Sequence, residues 1–466
     1  MRSPRPRRAV LLALALLLLT GCSSAAPGGF AAIPQPVPGA TPSAGPQPLP
    51  GATPPGGSPV ATEAPPPGTT QPDPGTPVRA RLLAVGDLLM HLPLVHSSAL
   101  PDGGWDFTPL FQPVRPWIDA ADMAIANLET TLTGPDYPWA GYPSFNTPPE
   151  LARDLRAVGF DVLTNANNHT LDYVQFGINQ TNDALDRYGV AHTGASRTPE
   201  EREQILVVEP VPGLRVAVLA YTATTNWIPL PEPWSVNLVD DERMPADIRR
   251  ARSLEGVDLV VVALHFGEEY EREPNDQQRY YVDVALRAGA DIVLGSHPHV
   301  IQPIEVRQVR DDFGRDLPRA VIYSEGNFIS NQTGLHREAG LMLLVDVVKE
   351  GGVTRVERVS FIPTWVHGYT VGGQKRYRVV AVEKAMRDYE AGADPLIAPA
   401  DYARLREVWA DTTVQAVGSP EVAVWSVEQP MAYAERLGGA PHTMGAGADG
   451  EGGHPVGGAQ TAVDDG

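Results

Sequence analysis

Ile292-Val293-Leu294-Gly295-Ser296-His297-Pro298-His299-Val300-Ile301 is the stretch from which the rest of the chain can be read. Ile292, Val293 and Leu294 form a short apolar run of the kind that makes a buried strand, and His297 and His299 follow it. In α/β proteins ligand-binding groups sit just past the carboxyl ends of such strands. Histidine is the commonest metal ligand near neutral pH, and a strand end holds it rigidly. Alone, the pair fits two half-buried histidines with ordinary hydrogen bonds as well as it fits a metal site. The ends of the other strands decide between them.

Strand-like runs recur from Arg81 to Val85, Met123 to Ala126, Val162 to Thr164, Arg215 to Ala220, Leu259 to Leu264 and Ala320 to Tyr323. Helical patterns separate several of them, from Pro149 to Val158, Gly177 to Tyr188, Met244 to Leu254 and Asp276 to Ala288. This alternation predicts an α/β fold with buried sheets and helices outside. After Gly340 the pattern changes to three antiparallel strands, Leu341 to Val348, Thr354 to Phe361 and Tyr377 to Val382, followed by a helix from Ala400 to Thr412. The first strand ends in Gly86-Asp87, the second in Asn127-Leu128-Glu129, and the third in Asn165-Ala166-Asn167-Asn168-His169. Later ones end in His265-Phe266-Gly267-Glu268-Glu269-Tyr270, in His297-Pro298-His299 and in Ser324-Glu325-Gly326-Asn327. Any one of these polar ends reads as a helix cap, a turn or a satisfied core histidine. So many at one topological end point to a site. Carboxylate, amide and imidazole without sulfur suit Mn, Fe or Zn, and two carboxylates allow one of them to bridge two ions.

Taken in order, these motifs resemble the capsule-synthesis family CapA, which is named for poly-gamma-glutamate capsule production and is related to the calcineurin-like metallophosphoesterases. The resemblance runs from about Arg81 to Asn331. It implies a four-layer, metallophosphoesterase-like sandwich of two sheets flanked by helices, with a small C-terminal extension. It also implies two divalent ions: Asp87 and His299 on the first, Asn168, His265 and His297 on the second, and Glu129 between them. His169 would be the general acid for the leaving group, while Asn127, Glu269 and Asn327 would contact substrate or support the ligands. The chain departs from the phosphoesterase pattern in three places. Leu89 stands where a histidine is usual, so that His91 is the nearest substitute; Glu129 is a methylene longer than the usual aspartate; and Glu325 stands where relatives tend to have an apolar residue.

The flanks carry a different message. Arg2, Arg5, Arg7 and Arg8 precede an apolar run from Ala9 to Leu19 and then Leu19-Thr20-Gly21-Cys22, which reads as an export signal ending in a bacterial lipobox. Cys22 is the only cysteine among 466 residues, so no internal disulfide is available. From Ser23 to Pro77 the chain holds 17 prolines and 9 glycines with one aromatic, Phe30, and reads as an extended tether. The expected organisation is therefore signal 1–22, tether 23–77, CapA-like domain 78–365, strand and helix extension 366–437, and a Gly- and Asp-rich disordered tail 438–466. The formal charge of −20 argues against nucleic acid as a partner. The expected partners are the membrane, through a lipid on Cys22, together with polymer-synthase components and acidic polymer, on the extracytoplasmic face. The leading expectation is a metal-dependent phosphoester hydrolase acting in capsule or other envelope-polymer synthesis. The rivals are a non-catalytic polymer-binding or export accessory, and an amidohydrolase. His96, His192, His336, His367 and His442 are expected to be surface or packing residues. Burial is expected for Trp105, Trp117, Trp139, Trp227 and Trp234 in preference to a polymer platform.

Overall fold

The computed structural model describes residues 76–426. The expected signal, Cys22, all but the last two residues of the tether, and the tail with His442 lie outside the described residues.

The alternating sequence pattern builds two sheets. The first starts with β1 (Val78–Leu88), β2 (Met123–Leu128), β3 (Val162–Thr164) and β4 (Ala191–Thr193), all mutually parallel. The second takes β5 (Leu206–Val211), β6 (Leu214–Thr222), β7 (Leu259–His265), β8 (Ile292–Ser296), β9 (Ile304–Arg310) and β10 (Asp316–Ile322). The chain then returns to the first sheet with β11 (Asn327–Ile329), β12 (Ala339–Glu350), β13 (Val353–Val371), β14 (Gln374–Ala381) and β15 (Val422–Val424). The strand orders are β14-β13-β12-β1-β2-β3-β4, with β11 beside β1 and β15 beside β13, and β5-β6-β7-β8-β10-β9. Because β1, β2 and β3 run parallel, as do β6, β7 and β8, their carboxyl ends fall on common edges.

Period-two alternation sorts each strand between two cores. Ala80, Leu82 and Ala84 of β1, with Met123 and Ile125 of β2, meet Val216, Val218, Leu259, Val261, Ile292 and Leu294 of the second sheet. The intervening residues Leu83 and Val85 face the other way, onto Leu151, Leu155 and Val158 of the helix Glu150–Val158. On the far side, Val260, Val262 and Val293 pack against Ile248 of helix Arg243–Ser253 and against Val282 and Leu286 of helix Asp276–Ala288. Helix, sheet, sheet, helix is the four-layer α/β sandwich expected from the sequence. These strands are buried on both faces, which is why they read as continuous apolar runs rather than alternating ones.

The expected boundary between residues 365 and 366 falls inside β13, which pairs along β12 from Val353 to Trp365, with one bulge at Glu357, and continues to Val371. Its outer partner changes, however, from β15 at Val359–Phe361 to β14 from Thr364 onward. Pro363 sits at that changeover, where a residue with no N–H to donate is tolerated. The helices Val382–Glu390 and Pro399–Gln415 then pack Val382, Ala385, Leu405 and Val408 into the core between the sheets. His367 is a packing residue, fully buried with Trp365 and Tyr369 as ring neighbours, and its Nδ1 accepts from Arg378 Nε at 3.1 Å.

Candidate metal centre

Two glycines bring the strand ends together. A Cβ on Gly86 would lie 2.0 Å from the carbonyl oxygen of Gly326, and one on Gly295 would lie 2.0 Å from that of Tyr323. Neither close approach is open to any other residue. Gly86 lets Asp87 N donate to Gly326 O at 3.1 Å, and Gly295 O accepts from Glu325 N at 3.1 Å. The β1, β8 and β10 ends are thereby locked side by side.

Within that frame His299 Nδ1 lies 2.9 Å from Asp87 Oδ2, and His299 Nε2 lies 3.8 Å from Glu129 Oε1. On the other side His265 Nε2 lies 3.6 Å from the same Glu129 oxygen and 2.9 Å from Asn168 Oδ1. The His297 ring stands 4.8 Å, centre to centre, from that of His265. The structure thus gathers Asp87 and His299 on one side, Asn168, His265 and His297 on the other, and Glu129 between. Among the described residues, Asp87, Glu129 and His299 offer ligand atoms that all lie within 4.8 Å of one another.

Electrostatics agree with a cation site. Both carboxyl oxygens of Glu129 are buried without a hydrogen-bond partner, and so is His297 Nδ1. Burial, then the charges of Asp87 and Glu269, push the Glu129 carboxyl well above the usual carboxylate range. Burial and the neighbouring imidazoles hold His265 well below its ordinary pKa, and burial followed by His299 lowers His297 to about 4. Neutral imidazoles gathered around a buried carboxyl group that lacks a donor are what a divalent ion requires of its ligands. An unpaired buried carboxylate is otherwise among the most costly groups a fold can hold. The residues present therefore fit divalent metal.

The supporting groups are also in place. Asn127 Nδ2 donates to Asp87 Oδ1 at 2.8 Å, and Asn127 Oδ1 accepts from Asn167 Nδ2 at 3.3 Å. Ser296 Oγ lies 2.8 Å from His265 Nδ1 and can accept its proton, which turns the Nε2 lone pair toward Asn168 Oδ1 and Glu129 Oε1. The Asn327 amide donates to the carbonyls of His299 at 3.3 Å and Arg337 at 3.0 Å. Glu269 is exposed on the loop after β7, where its charge reaches Glu129 and His297. His169 Nδ1 lies 2.8 Å from Asp172 Oδ2, which also accepts from Phe145 N at 2.7 Å, and the Phe145 ring packs edge-on against the imidazole.

The departures now have physical form. Leu89 is buried, and His91 Nδ1 is engaged near the carbonyl of Leu89 and the amide of Asn331, at 3.2 and 3.3 Å. The Asp87 side therefore has fewer gathered donors than the His265 side. Glu325 is buried beside Asp87, and burial, then the Asp87 charge, pushes its carboxyl well above the usual range. Sequence reasoning gave no role to Asp172, Ser296 or Tyr270, although each lies within three residues of a predicted site residue, and it missed Asn226, which only tertiary structure brings near. Asn168 Nδ2 donates to Asn226 Oδ1 at 3.3 Å, and the Tyr270 ring stands 6.3 Å from that of His299. Left-handed backbone outside glycine concentrates here, at Asn226, Trp227, Tyr270, His297 and His299. Such outliers cluster at functional sites because they persist only where the surroundings enforce them. Of the tryptophans expected to be buried, Trp117 is buried and Trp105, Trp139 and Trp234 are half-buried, but Trp227 is 89% exposed, against that expectation.

Comparison with known proteins places the motifs in company. The sequence model of the family described as bacterial capsule synthesis protein PGA_cap matches residues 81–332. The PGA biosynthesis protein CapA of Bacillus subtilis (strain 168) is 31% identical over 257 residues, which cover 53% of this chain and 63% of that protein. The capsule biosynthesis protein CapA of Bacillus anthracis is 30% identical over 263 residues, covering 53% and 59%. The matched region thus spans less than two thirds of the length of either relative. Among solved structures, the calcineurin-like phosphoesterase YfkN from Bacillus subtilis aligns with a TM-score of 0.40 at 12% identity, over 72% of this chain and 98% of that one. A 5'-nucleotidase precursor from Thermus thermophilus aligns at 0.37 with 15% identity, over 72% and 59%.

Proposed function

This chain belongs to the bacterial capsule synthesis protein family PGA_cap, and from that premise we propose that it is a metal-dependent phosphoester hydrolase acting in the synthesis of capsule or another envelope polymer. The observation that carries the proposal is Glu129: a fully buried carboxylate without a hydrogen-bond donor, set between His265 Nε2 and His299 Nε2 at 3.6 and 3.8 Å. Asp87, His299 and Glu129 would hold one divalent ion, and Glu129, Asn168, His265 and His297 a second. When bound, the ions supply a Lewis acid for a phosphoryl oxygen and lower the pKa of water.

The protein's own groups do the rest. In hydrolysis the P–O bond to the leaving group breaks as an oxygen from water bonds to phosphorus, and the leaving oxygen needs a proton. In this reading His169 gives it, supported by Asp172 on the Nδ1 side of the ring at 2.8 Å and by Phe145 packed edge-on against the ring. A protein that only bound polymer would have no use for a buried acid oriented in this way. The test is turnover of generic phosphomonoesters and phosphodiesters by the full chain with added Mn, beside His265→Ala. Metal-dependent hydrolysis that falls at least about a hundredfold in the variant is expected. Metal binding with no hydrolysis of any ester would overturn the enzyme reading in favour of an accessory role.

We also propose that the protein is anchored on the extracytoplasmic face by a lipid on Cys22, with residues 23–77 as the tether. Cys22→Ala is expected to move the protein from the membrane to the soluble fraction. Unchanged membrane association would contradict the anchor.

A further inference from the structure

Trp227 is a feature beside the centre that the hydrolase reading leaves unused. It lies on the turn that follows β6, with its indole 89% exposed. The turn is fastened at every point but that side chain. Ile228 N donates to Thr225 O at 3.0 Å, Thr225 Oγ1 donates to Ile228 O at 2.7 Å, and Asn226 N donates to Thr224 Oγ1 at 3.2 Å. Ile228 packs on the small core that includes Ala166 and Leu171, the residues bracketing Asn167, Asn168 and His169. Asn226 Oδ1 takes the amide of Asn168 at 3.3 Å. Asn226 and Trp227 both adopt left-handed backbone, with φ of 51° and 63°, at a cost that bulky L residues ordinarily avoid. A rigid turn that spends strain to keep a large aromatic face in solvent points to something that covers the face.

Its position says which part of a substrate that is. Asn226 touches Asn168, and His169, the proton donor to the leaving oxygen, is the next residue along, so the turn that carries Trp227 borders the leaving-group side of the centre. We propose that Trp227 is the platform for the leaving group, and that the substrate is a phosphoester whose leaving group is a sugar ring joined directly to the scissile oxygen. This inference rests on the phosphoester reading of the same centre. Trp227 directly follows Asn226, the residue that contacts Asn168, so its backbone is tied to the edge of the centre, a placement that favours a ring next to the phosphate over a base held beyond a ribose. The C–H face of a sugar stacks on a single exposed indole, whereas a linear γ-glutamyl chain offers no such face.

The experiment compares kcat/KM of the full, Mn-loaded chain on glucose 1-phosphate, on acyclic glycerol 1-phosphate and on adenosine 5'-monophosphate, for wild type, Trp227→Ala and Trp227→Phe. The ratio of glucose 1-phosphate to glycerol 1-phosphate is expected to fall about tenfold in Trp227→Ala and to recover for the most part in Trp227→Phe. An unchanged ratio would overturn the proposal. A Trp227 dependence seen with the nucleotide and not with glucose 1-phosphate would overturn it too, by showing that a base is what stacks. If no ester is turned over, the hydrolase reading has failed and the platform is judged by binding alone. Quenching of indole emission by glucose 1-phosphate in wild type, lost in Trp227→Ala, supports it, and equal response in both contradicts it.

Discussion

Replacing His297 and His299 together by alanine is expected to weaken metal binding by roughly a hundredfold or more, enough to strip the purified protein of bound ion. The two histidines serve opposite sides of the centre. His299 is the imidazole against Asp87, at 2.9 Å, and His297 is the one beside His265. Their loss would leave Glu129 with a single neighbouring imidazole and the Asp87 side with none. Both residues have left-handed backbone, at φ 100° and 57°, so alanine adds strain as well as removing a ligand. Asparagine, which tolerates that region better, provides the control for folding. A double variant with asparagine that unfolds like wild type in a chelator, yet no longer gains stability when Mn is added, separates lost ligation from lost structure. Full metal retention in a folded double variant would make both histidines structural.

The second large effect is expected at His169. His169→Ala should slow hydrolysis of esters with poor leaving groups by about 10² to 10⁴, while esters with activated leaving groups, which need no proton, suffer much less. The split between the two substrates is the informative quantity, because a collapsed site would lose both alike. Asp172→Asn should reproduce part of the split: the ring stays packed against Phe145, but the carboxylate that orients Nδ1 is gone. An equal loss on both kinds of ester would assign His169 a role other than proton donor.

The sequence makes the layered fold legible because strands buried on both faces read as apolar runs too short for helices and bounded by turn residues. Met123 to Ala126, Val162 to Thr164 and Ile292 to Leu294 all lie in strands, two of which run two residues further. Parallel order then does the work for the site, since it puts the polar residue after each strand at the same edge. What the sequence hides are short or mixed elements. β4 is three half-buried residues, and β5 carries Glu209 and Pro210. The continuity of β13 is hidden for another reason: Pro363 reads as a break, whereas it marks only a change of outer neighbour. Partners distant in sequence were equally invisible. Asn226 reaches Asn168 across 58 positions, and nothing near either residue announces the contact. Trp227 reverses the usual rule for indoles, because Ile228 takes the buried side of its turn.

The central claim is that Asp87, Glu129, Asn168, His265, His297 and His299 form a two-ion centre. Elemental analysis of the full chain, purified without chelator and supplemented with Mn, Fe or Zn, tests it most directly. About two equivalents of one of these ions per chain is the result expected. A folded, metal-supplemented protein that holds no stoichiometric ion would contradict it.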